Sequence, residues 1–124
     1  MSIQQTIIIA DDHPITLNGV KTYVENLNYK VIGIYDNGIS AYDNIITLLP
    51  NICILDLNMP GVDGRTLLKI IKSTPQLQSI PVVVFTTSAD QKDVAQCYAS
   101  GANTYIQKPV KFDEMKQICS SLKE

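Results

Sequence analysis

The feature that most constrains the fold is a short apolar run that ends in an acid, Ile52-Cys53-Ile54-Leu55-Asp56. Four apolar residues between turn-forming residues are typical of a strand buried on both faces, as in the centre of a parallel sheet. Because an aspartate is rarely buried without a partner, we expect Asp56 to emerge at the carboxyl edge of the sheet, where open α/β sheets bind ligands. The Met-Pro-Gly-x-Asp-Gly that follows predicts a rigid turn, since Pro60 fixes φ and the glycines permit unusual backbone angles.

The rest of the chain alternates short apolar strands with amphipathic helices. The strands are predicted at 6–10, 30–35, 52–55, 80–86 and 104–107. The helices are predicted at 14–28, 40–49 and 64–73, between the candidate caps 87–90 and Gly101, and at 112–122. Five strands that alternate with five helices predict an α/β, doubly wound fold with a parallel sheet and right-handed crossovers.

Composition excludes several classes of protein. At 124 residues the chain has the size of one domain, and a net charge of -2 gives no basic footprint for direct nucleic-acid binding. No apolar run is long enough to span a membrane and the amino terminus does not resemble a secretory leader, so we expect a cytoplasmic protein. The three cysteines are widely spaced without a CxxC pair, which predicts ordinary packing residues rather than a disulfide frame or zinc site.

Polar residues follow several of the predicted strands. Asp11 and Asp12 follow the first strand and Asp56 follows the third. Each alone is an ordinary turn or cap residue, but three carboxylates at one edge would repel, and a hard divalent cation such as Mg²⁺ relieves that repulsion. Thr86 and Thr87 at the end of the fourth strand, and Lys108 after the fifth, supply the hydroxyls and the positive charge that a phosphoryl group on an aspartate would need.

The acidic pair, the central Asp with its Met-Pro-Gly-x-Asp-Gly turn, the strand-end threonine and the Lys-Pro pair together resemble the response-regulator receiver domains of bacterial two-component systems. The resemblance covers essentially the whole chain, and it implies one receiver domain over 1–124 with no output domain in this chain. It also implies a flavodoxin-like sheet of order 2-1-3-4-5 with five helices.

The resemblance assigns roles to the polar residues. It implies that Asp56 accepts the phosphoryl group and is a metal ligand. Asp12 is implied to bind Mg²⁺ directly and Asp11 largely through water, and the main-chain carbonyl of Asn58 completes the protein ligands. Lys108 is expected to bind a phosphoryl oxygen, and the bond from it to the following proline is expected to be cis.

Three roles are open to more than one interpretation: the hydroxyl and the aromatic residue that respond to phosphorylation in this family, and the histidine beside the acidic pair. The family's spacing fits Thr86 better than Thr87 as the switch hydroxyl, and Tyr105 matches the family's switch aromatic. The alternative for Tyr105 is a half-buried strand tyrosine with its hydroxyl in water. His13, the only histidine, stands in an Asp-Asp-His-Pro run that resembles receivers attached to helix-turn-helix output domains, in which this residue is not usually a ligand.

The implied function is a signalling switch rather than an enzyme. A sensor histidine kinase or phosphotransfer protein is expected to supply the phosphoryl group, and an unknown downstream protein or output domain to respond to the altered fourth helix, fifth strand and fifth helix. A haloacid-dehalogenase-like phosphatase is one alternative, although Asn58 stands where its second acidic residue is needed. The other is a pseudo-receiver that binds partners without being phosphorylated, against which the acids and Lys108 count.

Overall fold

The computed structural model describes residues 4–108, which alternate strands with helices. The strands are β1 (Thr6–Ala10), β2 (Lys30–Tyr35), β3 (Ile52–Leu55), β4 (Val82–Thr86) and β5 (Thr104–Gln107). The helices are α1 (Pro14–Asn26), α2 (Gly38–Leu48), α3 (Gly64–Ser73) and α4 (Gln91–Ala99). All paired strands are parallel, in the order β2-β1-β3-β4-β5, which confirms the predicted fold class and strand order. The predicted fifth helix, 112–122, lies outside the described residues.

Alternate side chains of the strands enter two apolar layers, one on each face of the sheet. In β1, Ile8 and Ala10 join the layer that includes buried residues of α2, α3 and α4, whereas Ile7 and Ile9 join the layer beneath α1. The central strand β3 alternates in the same way, and its last three side chains are buried. Burial on both faces explains why this strand is uninterrupted apolar sequence until it reaches the sheet edge.

Two helices differ from their predicted bounds by one or two residues. Helix α1 ends at Asn26 instead of 28, and Asn28 takes a left-handed φ of 73° that ends the turn. Helix α2 begins at Gly38 instead of 40, because the Asn37 side chain caps it by accepting a hydrogen bond from the Ser40 N–H at 2.9 Å. The capping side chain rather than the apolar stripe sets this start.

The remaining bounds are close to prediction. Strand β4 begins at Val82 instead of 80, since the Ile80 N–H is used in a turn with the Leu77 carbonyl. The predicted bounds of α3 and β5 are confirmed, and Gly101 follows α4 with a φ of 106°. Of the helices within residues 4–108, none has the length and apolarity needed to cross a membrane.

Two cysteines are buried packing residues, as predicted. Cys53 and Cys97 are free thiols in the core, and burial raises the pKa of Cys53 to about 12. A thiol with so high a pKa stays protonated at neutral pH and is a poor nucleophile. Cys119 lies outside the described residues.

The turn between β3 and α3 is held by a close backbone contact. A Cβ atom added to Gly64 would lie 2.1 Å from the Asp56 carbonyl oxygen and 2.7 Å from the Leu57 Cα. The Gly64 N–H donates to the Leu57 carbonyl, and the Asp63 carboxylate caps α3 by accepting from the Arg65 N–H. The start of α3 is therefore packed directly against the backbone that carries Asp56, which accounts for the glycine.

An ion pair ties α3 to α4. The Arg65 guanidinium donates two hydrogen bonds of 2.7 Å to the Asp93 carboxylate and also contacts Asp63. The Asp93 side chain is 14% exposed, and its contacts with Arg65 lower its pKa to about 2. A bidentate, partly buried pair of this kind fixes the orientation of both helices better than a single surface contact.

We predict that Gly64→Ala destabilises the fold by about 1–3 kcal/mol, because the new methyl group must displace the Asp56 backbone. Urea denaturation measures the free energy of unfolding. Thr66→Ala is the matched control, since Thr66 is exposed in the same helix and should change stability by no more than about 0.5 kcal/mol. Equal stability of the two variants contradicts the close contact.

A second prediction concerns pH. The folded pKa of Asp93, about 2, lies below the ordinary value of about 3.9, so the pair stabilises the fold above pH 4 or so and its contribution is lost as pH falls toward 2. Asp93→Asn should lower the free energy of unfolding by about 1 kcal/mol at neutral pH. The difference in stability between the parent and Asp93→Asn should become smaller between roughly pH 4 and pH 2.5, as measured by thermal unfolding. If the difference in free energy of unfolding between the parent and Asp93→Asn does not change with pH, the lowered pKa of Asp93 is contradicted.

Candidate functional site

The sheet's carboxyl edge carries the polar residues, and main-chain hydrogen bonds fix three of them. Asp11, Asp56 and Lys108 each directly follow a strand. The Asp11 N–H donates to the Tyr35 carbonyl, that of Asp56 to the Ala10 carbonyl and that of Lys108 to the Thr86 carbonyl, at 2.7–2.9 Å. Each residue thus extends the pairing of its strand by one step. The sequence-predicted convergence of strand ends is present in the structure.

Lys108 lies between two buried carboxylates. Its Nζ is 2.7 Å from Asp11 Oδ2 and 2.9 Å from Asp56 Oδ2, and all three side chains are less than 5% exposed. The ammonium also lies 5.8 Å from the centre of the Phe85 ring, on which a cation can rest favourably. Two buried carboxylates share one ammonium, so the pair is only half neutralised by protein charge.

The pKa values of Asp11 and Asp56 shift in opposite directions in this buried cluster. Burial would raise the pKa of Asp56, but hydrogen bonds from Lys108 and Thr86 outweigh burial and hold the pKa below its ordinary value. Burial dominates at Asp11 and raises its pKa despite the contact with Lys108. The contacts of Asp56 therefore favour its ionised form, which is the form that a nucleophile needs.

A third carboxylate and the imidazole complete the cluster. Asp12 is about one-third exposed, and His13 is half exposed. The His13 Nδ1 lies 3.1 Å from Asp11 Oδ1, 3.1 Å from Asp12 Oδ1 and 3.3 Å from Asp56 Oδ2. One oxygen or nitrogen from each of the four residues can be chosen so that all lie within 4.8 Å of one another. Oxygen donors in this number suit a hard divalent cation that keeps several waters.

The other predicted residues lie around this cluster. Asn58 is exposed, and its N–H donates to Asp56 Oδ1 at 3.3 Å. Thr86 is fully buried at the end of β4, where its hydroxyl interacts with Asp56. Thr87 is exposed. The sequence preference for Thr86 over Thr87 thus agrees with burial and with the contact to the acid.

A chain of hydrogen bonds leads away from the cluster through Ser88. The Ser88 N–H makes a long contact of 3.5 Å with the Thr86 hydroxyl, and its carbonyl accepts from the Tyr105 hydroxyl at 2.9 Å. The Ser88 hydroxyl donates to Asp93 at 2.7 Å, the acid that Arg65 holds. Tyr105 is half-buried in β5 and turned toward this loop. The arrangement joins the site's edge to α4.

A polar cleft opens beside the cluster. It has a volume of about 390 Å³ and lies between the start of α1, the carboxyl end of β2 and the first turn of α2. Asp11, Asp12 and Asp36 contribute carboxylates to its lining, and Pro14 and Tyr35 contribute apolar surface. The cleft therefore gives solvent access to the Asp11 and Asp12 side of the cluster, whereas Asp56 is buried and does not line it.

Sequence reasoning missed two features of this region. It set His13 aside, although the imidazole reaches three carboxylates, and it gave no role to Arg65 with Asp93. The adjacency of His13 to the acidic pair was the available signal for the first. The second joins residues on different helices, and no local pattern indicates such a pair. The predicted cis bond after Lys108 lies outside the described residues.

The family comparison agrees with the site. Residues 7–120 match the family model of the response regulator receiver domain. Response regulator Rre1 of Synechocystis is 29% identical over 94% of this chain, and the transcriptional regulatory protein KdpE of Staphylococcus aureus is 32% identical over 89%. The matches cover 51% and 46% of those two proteins, so the chain spans about half the length of the curated relatives it matches.

Solved structures agree as well. The Mn²⁺-bound form of response regulator Rcp1 superposes with a TM-score of 0.89, at 28% identity over 95% of this chain and 91% of that one. The phosphorylated cyanobacterial phytochrome response regulator RcpA also gives 0.89, at 29% identity over 98% and 93%. With its carboxylates and lysine at the expected strand ends, the chain belongs to the response regulator receiver family, whose members are signalling switches of two-component systems rather than dedicated enzymes.

Proposed function

We propose that this receiver domain takes a phosphoryl group onto Asp56 and thereby changes a partner-binding surface. The observation that carries the proposal is the contact of Lys108 with both Asp56 and Asp11 at a sheet edge open to a polar cleft. The phosphorylated state of the similar regulator RcpA supports the same chemistry. The phosphatase alternative loses its basis with the family assignment and with Asn58 two positions after the acid.

The reaction needs positioning and charge more than acid-base groups. A carboxylate oxygen of Asp56 forms a bond to phosphorus as the phosphorus–nitrogen bond of a phosphohistidine breaks, and the imidazole leaves with the electron pair. The lowered pKa keeps Asp56 ionised for the attack. Lys108 then lies within reach of the new phosphoryl oxygens, where its ammonium stabilises the added negative charge.

Mg²⁺ is the proposed cofactor, held by Asp11, Asp12, Asp56 and the main-chain carbonyl of Asn58. The donor set fits, since Asp11 and Asp56 share a single lysine, Asp12 adds a third carboxylate, and hard oxygen donors suit this ion. The Mn²⁺-bound form of Rcp1 supports divalent metal binding in this fold. When bound, the ion neutralises charge on the carboxylates and on the transferring group.

Thr86 and Tyr105 are the proposed switch residues. A phosphoryl group on Asp56 adds acceptor oxygens that the buried Thr86 hydroxyl can approach, which pulls on the loop that follows β4. That loop already holds the Tyr105 hydroxyl through the Ser88 carbonyl. A shift of population between loop positions would therefore alter the surface formed by α4 and β5.

The proposed partners follow from this chemistry. A sensor histidine kinase or a phosphotransfer protein supplies the phosphoryl group, and an unidentified protein or output domain binds the altered surface. A known complex of CheX with the receiver CheY and its phosphoryl mimic supports binding to separate proteins. We place the domain in the cytoplasm, where kinases draw on ATP, and assign residues 1–124 to a single receiver unit that contacts neither nucleic acid nor membrane directly.

Phosphorylation at Asp56 has a direct test. Acetyl phosphate with Mg²⁺ should add one phosphoryl group, which borohydride trapping and mass spectrometry would map to Asp56. Asp56→Asn should abolish the modification, whereas the matched change Asp36→Asn in the neighbouring cleft should retain it. Modification that persists in Asp56→Asn would contradict the assignment, and no modification of the parent would favour a pseudo-receiver.

The test of the switch residues measures the conformational response of α4 and β5 rather than the phosphorylation itself. Thr86→Ala should still accept the phosphoryl mimic beryllofluoride, because the carboxylates remain, yet lose most of the amide chemical-shift changes in α4 and β5. The adjacent, exposed Thr87→Ala is the matched control and should keep them. A full response in Thr86→Ala beside a lost one in Thr87→Ala would place the switch one residue later.

A further inference from the structure

The loop between β4 and α4, residues 87–90, is held through Ser88. The Ser88 hydroxyl donates to Asp93 Oδ2 at 2.7 Å and accepts from the Asp90 N–H at 3.3 Å. The Ser88 carbonyl accepts from the Tyr105 hydroxyl at 2.9 Å. One residue of this loop is therefore fixed from both α4 and β5, two positions after the strand end that carries Thr86.

The Asp93 carboxylate is in turn held from α3. The Arg65 guanidinium donates two hydrogen bonds of 2.7 Å to it, one to each carboxylate oxygen. The Asp93 side chain is partly buried, so water and salt screen this pair less than they would a surface pair. Asp93 Oδ2 accepts from both Ser88 and Arg65, and the loop after β4 is thus tied to α3 through one shared oxygen.

This tie closes a ring of contacts around the proposed phosphoryl acceptor. Arg65 follows Gly64, whose backbone packs so closely against the Asp56 carbonyl that no Cβ fits there. At the other end of the ring, Thr86 is fully buried and its hydroxyl interacts with the Asp56 side chain. The loop is therefore positioned relative to the backbone that carries Asp56, and not only relative to α4.

The conformation held by this ring already places the proposed switch residues. The Thr86 side chain contacts the Asp56 carboxylate, and the Tyr105 hydroxyl binds the loop. Groups that are held in place in advance lower the ordering cost that a bound phosphoryl group would otherwise have to meet. A restraint on this loop therefore favours capture of the phosphoryl group.

We infer that Arg65, Asp93 and Ser88 are positioning residues of the phosphoryl switch, which hold the loop after β4 where the Thr86 hydroxyl can meet a phosphoryl group on Asp56. The inference rests on the proposed function of Asp56 as the phosphoryl acceptor. The bidentate contact of the arginine and the short bond from the serine give the restraint a fixed direction, which a single flexible contact would not. Helix α3 thus takes part in the response together with α4 and β5.

Two other roles for these residues are separated by experiment. If the Arg65–Asp93 pair serves only the stability of α3 and α4, the bond from Ser88 has no effect on phosphoryl capture. The second alternative is that the Ser88 hydroxyl itself binds the phosphoryl group. Its single hydrogen is given to Asp93, so it has none to offer a phosphoryl oxygen while that bond persists.

The experiment measures the apparent affinity of the full chain for beryllofluoride, with Mg²⁺ in excess, from amide chemical shifts. Ser88→Ala removes the bond to Asp93 but leaves the Arg65–Asp93 pair, and it should weaken this affinity at least about fivefold. Asp93→Ala should also weaken it at least about fivefold. Loss of a carboxylate would by charge alone strengthen binding of an anion, so a weaker affinity indicates loss of position.

Combined variants test whether the residues act through one restraint. The double variant Ser88→Ala/Asp93→Ala should be weaker than the weaker single variant by less than about twofold, because both changes remove the same bond. In a Thr86→Ala background, Ser88→Ala should change the affinity by less than about twofold, because the restraint acts through the Thr86 hydroxyl. Ser88→Thr keeps the hydroxyl and should keep the parent affinity.

The matched control is Lys92→Ala, which changes an exposed residue next to Asp93 in the same helix and should leave the affinity as in the parent. Amide ¹⁵N relaxation gives a second readout, without beryllofluoride. Residues 87–90 should move more in Ser88→Ala than in the parent, and beryllofluoride should reduce that motion. Unchanged loop motion beside a weakened affinity would contradict positioning and favour a direct contact of Ser88 with the phosphoryl group.

The remaining outcomes are distinct. Parent affinity in Ser88→Ala beside a loss in Asp93→Ala would assign the pair to stability alone and overturn the inference. Losses that multiply in the double variant would also overturn it, since the hydroxyl and the acid would then act separately. If the parent chain binds no beryllofluoride, the proposed function fails and this inference fails with it. If the parent binds and Ser88→Ala binds equally well, the proposed function stands and only this inference is lost.

Discussion

The contact of one ammonium with two buried carboxylates is the interaction on which the site depends. Lys108 bonds to both Asp11 and Asp56 in a region where all three side chains are nearly inaccessible to water. A buried charge that loses its partner is strongly destabilising, so none of the three can change without consequence for the others. The negative charge that one ammonium leaves unbalanced favours a bound cation, and the proposed transfer of an anionic phosphoryl group to Asp56 would depend on that cation.

The parallel arrangement of the strands brings Lys108 into contact with Asp11 and Asp56. Because β1, β3 and β5 all end at the same edge, residues far apart in the chain meet there without any long loop. Asp11, Asp56 and Lys108 each follow a strand directly and continue its main-chain pairing, so these three groups are carried by strand ends rather than by long loops. Flexible segments do not have to be ordered before the chemistry can occur.

The sequence predicted this framework well, because strand periodicity and polar strand ends are local signals. The five strands and the convergence of Asp11, Asp56 and Lys108 follow from such signals, whereas the sheet order was implied by the family resemblance. The position of the His13 ring and the Arg65–Asp93 pair could not be predicted. Both depend on which rotamers pack once the helices are docked, and side-chain directions between separate elements leave no periodic trace in the sequence.

The position of Lys108 along the chain has a consequence for synthesis. The ammonium comes 52 residues after the Asp56 it neutralises, which at ribosomal speeds of roughly 5–20 residues per second is a delay of several seconds. Until then the two acids have no lysine to accompany them out of water, so a partly made sheet must leave them hydrated. Burial of Asp11 and Asp56 thus waits for β5, the strand that Lys108 directly follows.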